Sequence, residues 1–166
     1  LLAAPVAAVA ADACHESSAP VKLSPAQAAR VLPKQRGYTQ GLLHAGASLY
    51  ESLGVYGRSA LRKIDLRTNT HTDLHALPRE IFAEGLAALD GRLYQLSWQE
   101  NLVFTYADDK PGRTIAYPFR GWGLTHLDGR LVASDGTSRL RFLEPSTLAV
   151  TREVEVARAG ARLSSL

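Results

Sequence analysis

Three residues precede a Gly-Leu pair at matching points of the chain. They are Gln40 before Gly41-Leu42, Glu84 before Gly85-Leu86, and Trp122 before Gly123-Leu124. A second matched position, five residues after the leucine of the next alternating run, holds Gly54, Trp98 and Gly136. With Tyr38 beside Gln40, the set comprises one carboxylate, one carboxamide, two indoles and a phenol ring. Taken singly, each tryptophan reads as core packing and Glu84 as a solvated charge. Taken together at equivalent positions, they read as a binding site. The chemistry open to such a site is narrow. One carboxylate with no His, Cys or Ser partner does not make a nucleophilic triad. It also falls short of the carboxylate pair used in glycoside hydrolysis. A carboxylate between indoles loses water, which raises its pKa towards neutrality. That suits a proton shuttle between two nitrogens, a form of catalysis worth roughly 10²–10⁴ in rate.

The elements that must position these residues are short strands in a repeat. From Tyr38 onward the chain falls into three units whose Gly-Leu pairs are 44 and then 38 residues apart. Each unit begins with an alternating run and a glycine-bearing turn: His44–Ala47, Leu89–Arg92 and Leu127–Arg130. Asp-Gly between alternating runs is a hairpin signal, because glycine supplies the positive φ that such turns need. Third strands are expected at Leu61–Leu66, Leu102–Tyr106 and Leu140–Leu143, and weaker fourth strands at His71–Leu77, Arg113–Tyr117 and Ala149–Val156. Turn formers separate them at Arg67–Thr70, Asp108–Gly112 and Glu144–Thr147. Four antiparallel strands repeating about every 40 residues mark a β-propeller blade. A β-sandwich has similar turn spacing, but its strands do not repeat in fours. The predicted class is therefore all-β, with about three blades present. Three blades do not close a ring. The expectation is that residues 21–166 are the N-terminal part of a propeller domain, with residues 28–33 as a closing strand for a final blade. The residues before Gly-Leu would then line one mouth of a central channel, and Trp98 would reach over it.

Composition bounds the rest. The 166 residues suffice for one real core, and 46% hydrophobic with 21% charged residues fits a globular domain. The formal charge of +3 is spread rather than clustered, so no nucleic-acid surface is expected. A single cysteine, Cys14, excludes an internal disulfide, and no zinc-ligand cluster is visible. His71 and His75 are four apart within a turn and strand, and read as hydrogen-bonded or solvated. The chain contains no Met. Residues 1–13, LLAAPVAAVAADA, resemble the end of a secretory signal with an Ala-x-Ala cleavage site. Their apolar run is shorter than the ~20 residues that span a bilayer. Residues 1–20 are therefore expected to be an export-signal remnant and linker, and the protein secreted or periplasmic. Cleavage after Ala13 would leave Cys14 first, although Ala-Asp-Ala matches a lipidation site poorly.

Four segments carry a family resemblance: YTQGLL, YESLGVYGRSALRKIDL, FAEGLAALDGRLYQLSW and GWGLTHLDGRLVASDG. They resemble the plant and bacterial type of glutaminyl-peptide cyclotransferase over about residues 30–157. The tyrosine-rich YESxGxYGRSxLR block is the most specific part. The resemblance implies a five-bladed β-propeller with its site at one end of the channel. It implies conversion of an N-terminal glutaminyl residue of a peptide to pyroglutamyl, with release of ammonia and no catalytic metal or cofactor. It implies Glu84 as the acid and base, Trp98 and Trp122 as apolar walls, Gln40 as a hydrogen-bonding group and Tyr38, where the family usually has Phe, as a shape element. Peptides with N-terminal Gln would be the partners of a monomer. The family's Pro-His-Asp is here Pro33-Lys34-Gln35. Its Leu-Asn-Glu-Leu-Glu block, and the Asn, Trp and Lys that complete its site, fall after the third blade. The 166-residue piece alone is thus expected to be inactive. Glu51, Arg58 and Arg62 are expected to form a structural ion-pair network. The reading from another class is a non-catalytic propeller that binds peptides or partners at the channel mouth.

Overall fold

The computed structural model describes residues 31–163. All but Val31 belong to one unit, Leu32–Leu166. Residues 1–20, the expected signal remnant and linker, lie outside the described residues, as does Cys14. The unit holds three four-stranded antiparallel meanders. The first comprises β1 (Thr39–Ala45), β2 (Ser48–Leu53), β3 (Ala60–Asp65) and β4 (Thr70–Ala76). The second comprises β5 (Ala83–Leu89), β6 (Arg92–Ser97), β7 (Leu102–Ala107) and β8 (Lys110–Ala116). The third comprises β9 (Leu124–Leu127), β10 (Arg130–Ser134), β11 (Arg139–Leu143) and β12 (Val150–Glu155). These are three consecutive blades of a partial β-propeller, and the described residues contain no helix.

The Asp-Gly turns form as the sequence predicts. Asp90 and Gly91 have φ of 50° and 72°, and Asp128 and Gly129 have 49° and 71°. Both pairs suit the tight turn that matches strand twist. The second blade departs from expectation at 108–112. Asp108 and Asp109 alone make the turn, with φ of 49° and 60°. Lys110-Pro111-Gly112 already belong to β8. Aspartate tolerates the left-handed region, and proline is accommodated on an outermost strand beside the register shift at Phe104/Tyr106. A further hairpin, β13 (Ala157–Arg158) and β14 (Ala161–Arg162), was not expected. It closes on Ala159 and Gly160, with φ of 50° and 78°. Of the expected strand at 28–33, Val31–Pro33 are not extended into any sheet, and the other three residues lie outside the described residues.

The blades pack face to face. Leu61, Leu86 and Tyr106 are buried between the first two, with Tyr50, Leu74 and Phe104 packed around them. Leu96, Tyr117, Leu131 and Leu143 are fully buried between the second and third. Each such side chain contributes about 1.5–3 kcal/mol of hydrophobic stabilisation. Polar groups staple the same interfaces. Gln95, fully buried, donates to Ser52 Oγ at 2.8 Å and to the Ala60 carbonyl at 3.2 Å. It accepts from the Tyr106 hydroxyl at 2.7 Å. The Arg141 guanidinium lies 3.8 Å over the Phe119 ring and pairs with Asp135 and Glu153 at 2.5 and 2.8 Å.

Near the axis the innermost strands meet without side chains between them. A Cβ on Gly41 would lie 2.8 Å from the Leu86 backbone nitrogen. One on Gly85 would lie 2.5 Å from both Trp122 O and Leu124 N. Only glycine permits this approach, which is why the motif repeats it.

Candidate active site

Antiparallel register places the start of each innermost strand beside the end of the next. Thr39 faces Leu53, and Ala83 faces Ser97. The β2–β3, β6–β7 and β10–β11 turns therefore lie at the same end as Gln40, Glu84 and Trp122. All three of these residues sit at ladder irregularities. Register shifts fall between Thr39 and Gly41 and between Ala83 and Leu86. In the third blade Trp122 N donates to Ser134 O at 3.1 Å, while Ser134 N donates to Gly123 O at 3.0 Å. Two residues thus oppose one, the pattern of a β-bulge, which re-aims a side chain beside a site.

The geometry joins three of the expected site residues. Gln40 Nε2 donates to Glu84 Oε1 at 2.8 Å. Gly85 N donates to Trp122 O at 2.8 Å, so the acid at the start of β5 and the indole just before β9 lie at one level. The matched glycines provide floors. A Cβ on Gly54 would meet Gln40 Cγ at 2.6 Å, and one on Gly136 would meet the Trp122 ring at 2.9 Å. Glycine at 54 and 136 leaves room for the amide and the indole to lie across the turn. Trp122 remains 37% exposed.

Glu84 is half-buried. Loss of water pushes its carboxyl up to about 7, only partly offset by the hydrogen bond from Gln40. A neutral carboxamide stabilises the anion less than a cation would. A group that titrates there can both accept and return a proton at neutral pH.

Trp98 is held by its backbone, donating to Phe82 O at 2.8 Å and accepting from Gly121 N at 2.9 Å. Its ring meets Phe82 edge to face at 5.7 Å. Tyr38 is 61% exposed and is tied in through its carbonyl, which accepts from Gly54 N at 2.9 Å. Its side of the chain lines a cavity of about 510 Å³ with Arg36, Arg58, Arg62 and Asp73. That cavity does not include Glu84 or either tryptophan, so volume alone does not mark the chemistry.

The residues assigned to scaffolding form a network. Glu51 is buried, accepts from Thr39 Oγ1, and lies 3.7 Å from Arg62 Nη1 and 3.6 Å from Lys34 Nζ. Arg62 also pairs with Asp73 at 2.5 Å and donates to the Arg36 carbonyl at 3.0 Å. Arg58 instead lines the cavity. His71 hydrogen-bonds Asn69 at 3.2 Å, and His75 hydrogen-bonds the Asp109 carbonyl at 2.8 Å. Among the described residues, no three His, Cys, Asp or Glu side chains could hold a metal ion together. No described helix is long and apolar enough to cross a membrane.

Three further residues lie at the same end of the sheets and were not singled out from the sequence: Tyr56, Phe82 and Glu100. The repeat could have revealed one of them. Phe82 stands two before Glu84, as Tyr38 stands two before Gln40. Tyr56 lies inside the specific YESLGVYGRS block.

Comparison with known proteins bears on this geometry. A family model described as glutamine cyclotransferase matches residues 1–166. The glutaminyl-peptide cyclotransferase of Arabidopsis thaliana is 43% identical over 120 residues, covering 69% of this chain and 37% of that protein. The crystal structure of Myxococcus xanthus glutaminyl cyclase superposes with a TM-score of 0.67 at 36% identity, covering 77% of this chain and 55% of that one. A nidogen/laminin complex matches at a TM-score of 0.56 and 13% identity, a likeness of fold alone. The chain thus spans little more than a third of the curated relative and about half of the solved one. On the match along its whole length, the chain belongs to the glutamine cyclotransferase family.

Proposed function

We propose that the protein containing this chain cyclises N-terminal glutaminyl residues of peptides to pyroglutamyl, releasing ammonia. The observation that carries this reading is Glu84: half-buried, hydrogen-bonded to the neutral Gln40, and titrating at about 7. In the reaction the substrate's α-amine nitrogen attacks its own side-chain carboxamide carbon. A carbon–nitrogen bond forms and the carbonyl electrons move to oxygen. The Glu84 carboxylate takes the proton shed by the attacking nitrogen. It then gives that proton to the departing amide nitrogen, the old carbon–nitrogen bond breaks, and NH₃ leaves as the carbonyl reforms. Nothing is oxidised, and the proton inventory closes on Glu84.

Because the attack is intramolecular, the protein need mainly hold the folded, near-attack conformer. Trp122 and Trp98 supply apolar walls for the glutamine stem. Gln40 keeps its carbonyl and one amide hydrogen for the substrate, and Tyr38 shapes the approach. The whole protein is proposed to be a five-bladed, monomeric propeller whose later blades add the family's Asn, Trp and Lys. The 166-residue piece alone is proposed to be inactive. Secretion or periplasmic export rests on the Ala-rich start of the chain alone.

The test is ammonia release from Gln-Ala-amide by the full-length protein, by its Glu84→Gln variant, and by the 166-residue piece. Turnover in the first alone is expected. Turnover in the piece would overturn the incomplete-site reading, and turnover in Glu84→Gln would overturn the proton shuttle.

A further inference from the structure

Beside Glu84 a set of rings runs outward from Trp98, and of these the proposed cyclisation uses only Trp98. Trp98 meets Phe82 edge to face at 5.7 Å, and Phe82 meets Tyr56 the same way at 5.4 Å and 69°. This ladder is continuous with the site. Phe82 Cε1 and Gln40 Cγ crowd the same face of Gly54, each 2.6 Å from where a Cβ would stand. Gln40 in turn donates to Glu84. Tyr56 lies in the β2–β3 turn and Trp98 in the β6–β7 turn, at the end of the sheets where Glu84 emerges.

The outermost ring is both open and fixed. Tyr56 is 47% exposed, yet its hydroxyl donates to Glu100 Oε1 at 2.9 Å. Glu100 Oε2 accepts from Phe82 N at 3.4 Å, which ties the two aromatic residues to one carboxylate. A ring held still while facing water offers contact area at little entropic cost, as binding surfaces do. Successive centroid spacings of 5.4 and 5.7 Å together reach at most about three residues of extended chain at ~3.3–3.6 Å each. The charge around the ladder gives a basic occupant no net advantage, since one carboxylate is set against two guanidiniums. Glu100 is engaged by Tyr56, Arg79 Nε lies 3.9 Å from a Cβ built on Gly57, and Arg58 lines the neighbouring cavity.

We propose that Tyr56 and Phe82, outward of the Trp98 wall, form a second subsite that takes a bulky, uncharged side chain of the residues following the N-terminal glutamine of a peptide. The proposal rests on the cyclisation reading for the identity of its substrate. Tyr56 is then a specificity-determining residue that never meets the reacting atoms.

The experiment compares Gln-amide, Gln-Phe-Ala-amide and Gln-Lys-Ala-amide as substrates of the full-length protein, wild type and Tyr56→Ala, with Tyr56→Phe as the conservative variant. Aromatic contacts of this kind are worth roughly two- to twelvefold. The Phe peptide should therefore exceed the Lys peptide about that much in kcat/KM, mainly through KM. Tyr56→Ala should abolish the preference and leave Gln-amide unchanged, while Tyr56→Phe should keep most of it. An equal loss on all three substrates, or none on any, overturns the subsite. If wild type turns over none of them, the cyclisation reading fails. The subsite is then decided by calorimetric titration of the Phe and Lys peptides: tighter Phe binding that Tyr56→Ala removes upholds it, and equal or absent binding overturns it.

Discussion

Glu51 in β2 and Glu84 in β5 are both carboxylates drawn into the protein, and they are treated in opposite ways. Glu51 is buried and surrounded by Arg62, Lys34 and the Thr39 hydroxyl, with Asp73 completing the set around Arg62. Glu84 is half-buried and receives one bond from a neutral amide. Compensated charge fixes geometry; uncompensated charge is free to trade a proton. The same residue type thus serves as scaffold in one place and reactive group in the other, and the neighbours decide which.

The largest expected break in that contrast is at Glu84. Replacing it with glutamine in the full-length protein should lower turnover by roughly 10²–10⁴ while leaving peptide binding and the fold nearly intact. Retention of more than a few per cent of activity would erase the distinction between the two carboxylates. At Glu51 the effect should fall on stability instead. Arg62→Ala leaves buried Glu51 with only the exposed Lys34 and the Thr39 hydroxyl, a change that costs up to about 3–5 kcal/mol and is read by denaturant titration. A cost under about 1 kcal/mol would mean that the network is only a surface feature.

A smaller effect is expected at the floor of the indole. Gly136 has a φ of 82°, and an added Cβ would press on the Trp122 ring. Gly136→Ala should raise KM several-fold and cost about 1–3 kcal/mol in backbone strain. Unchanged KM would detach Trp122 from substrate binding. The smallest effect is a pH dependence. Folded Glu84 keeps its proton to about 7, whereas an unfolded glutamate releases it near 4.5. Between those values the folded state binds more protons, so its contribution to stability falls as pH rises and is fully lost above 7. Melts of wild type and Glu84→Gln at pH 5 and pH 8 should therefore diverge, with the variant gaining relative to wild type at pH 8. Parallel shifts would place the unusual titration elsewhere.

Much of this was legible in the sequence because it repeats. The Gly-Leu openings at Gly41, Gly85 and Gly123 fixed the equivalence of Gln40, Glu84 and Trp122, and the Asp-Gly turns followed from a local rule about φ. What repetition does not carry was harder to see. The two-residue turn at Asp108-Asp109 depends on an outer strand's tolerance for Pro111, and the β13–β14 hairpin has no counterpart in the other units. The Tyr56–Phe82–Trp98 ladder joins different blades, so no single stretch of chain displays it. The bulges at the site are also invisible locally, since they arise from how one strand counts against its neighbour.

Gly41 and Gly85 give the blades a hard stop. Where innermost strands rest backbone against backbone, the wedge angle between blades is set by atomic radii and not by how side chains happen to repack, as cut stones set the curve of an arch. Changes of length or sequence in the outer loops therefore leave the acid beside its amide and indole neighbours.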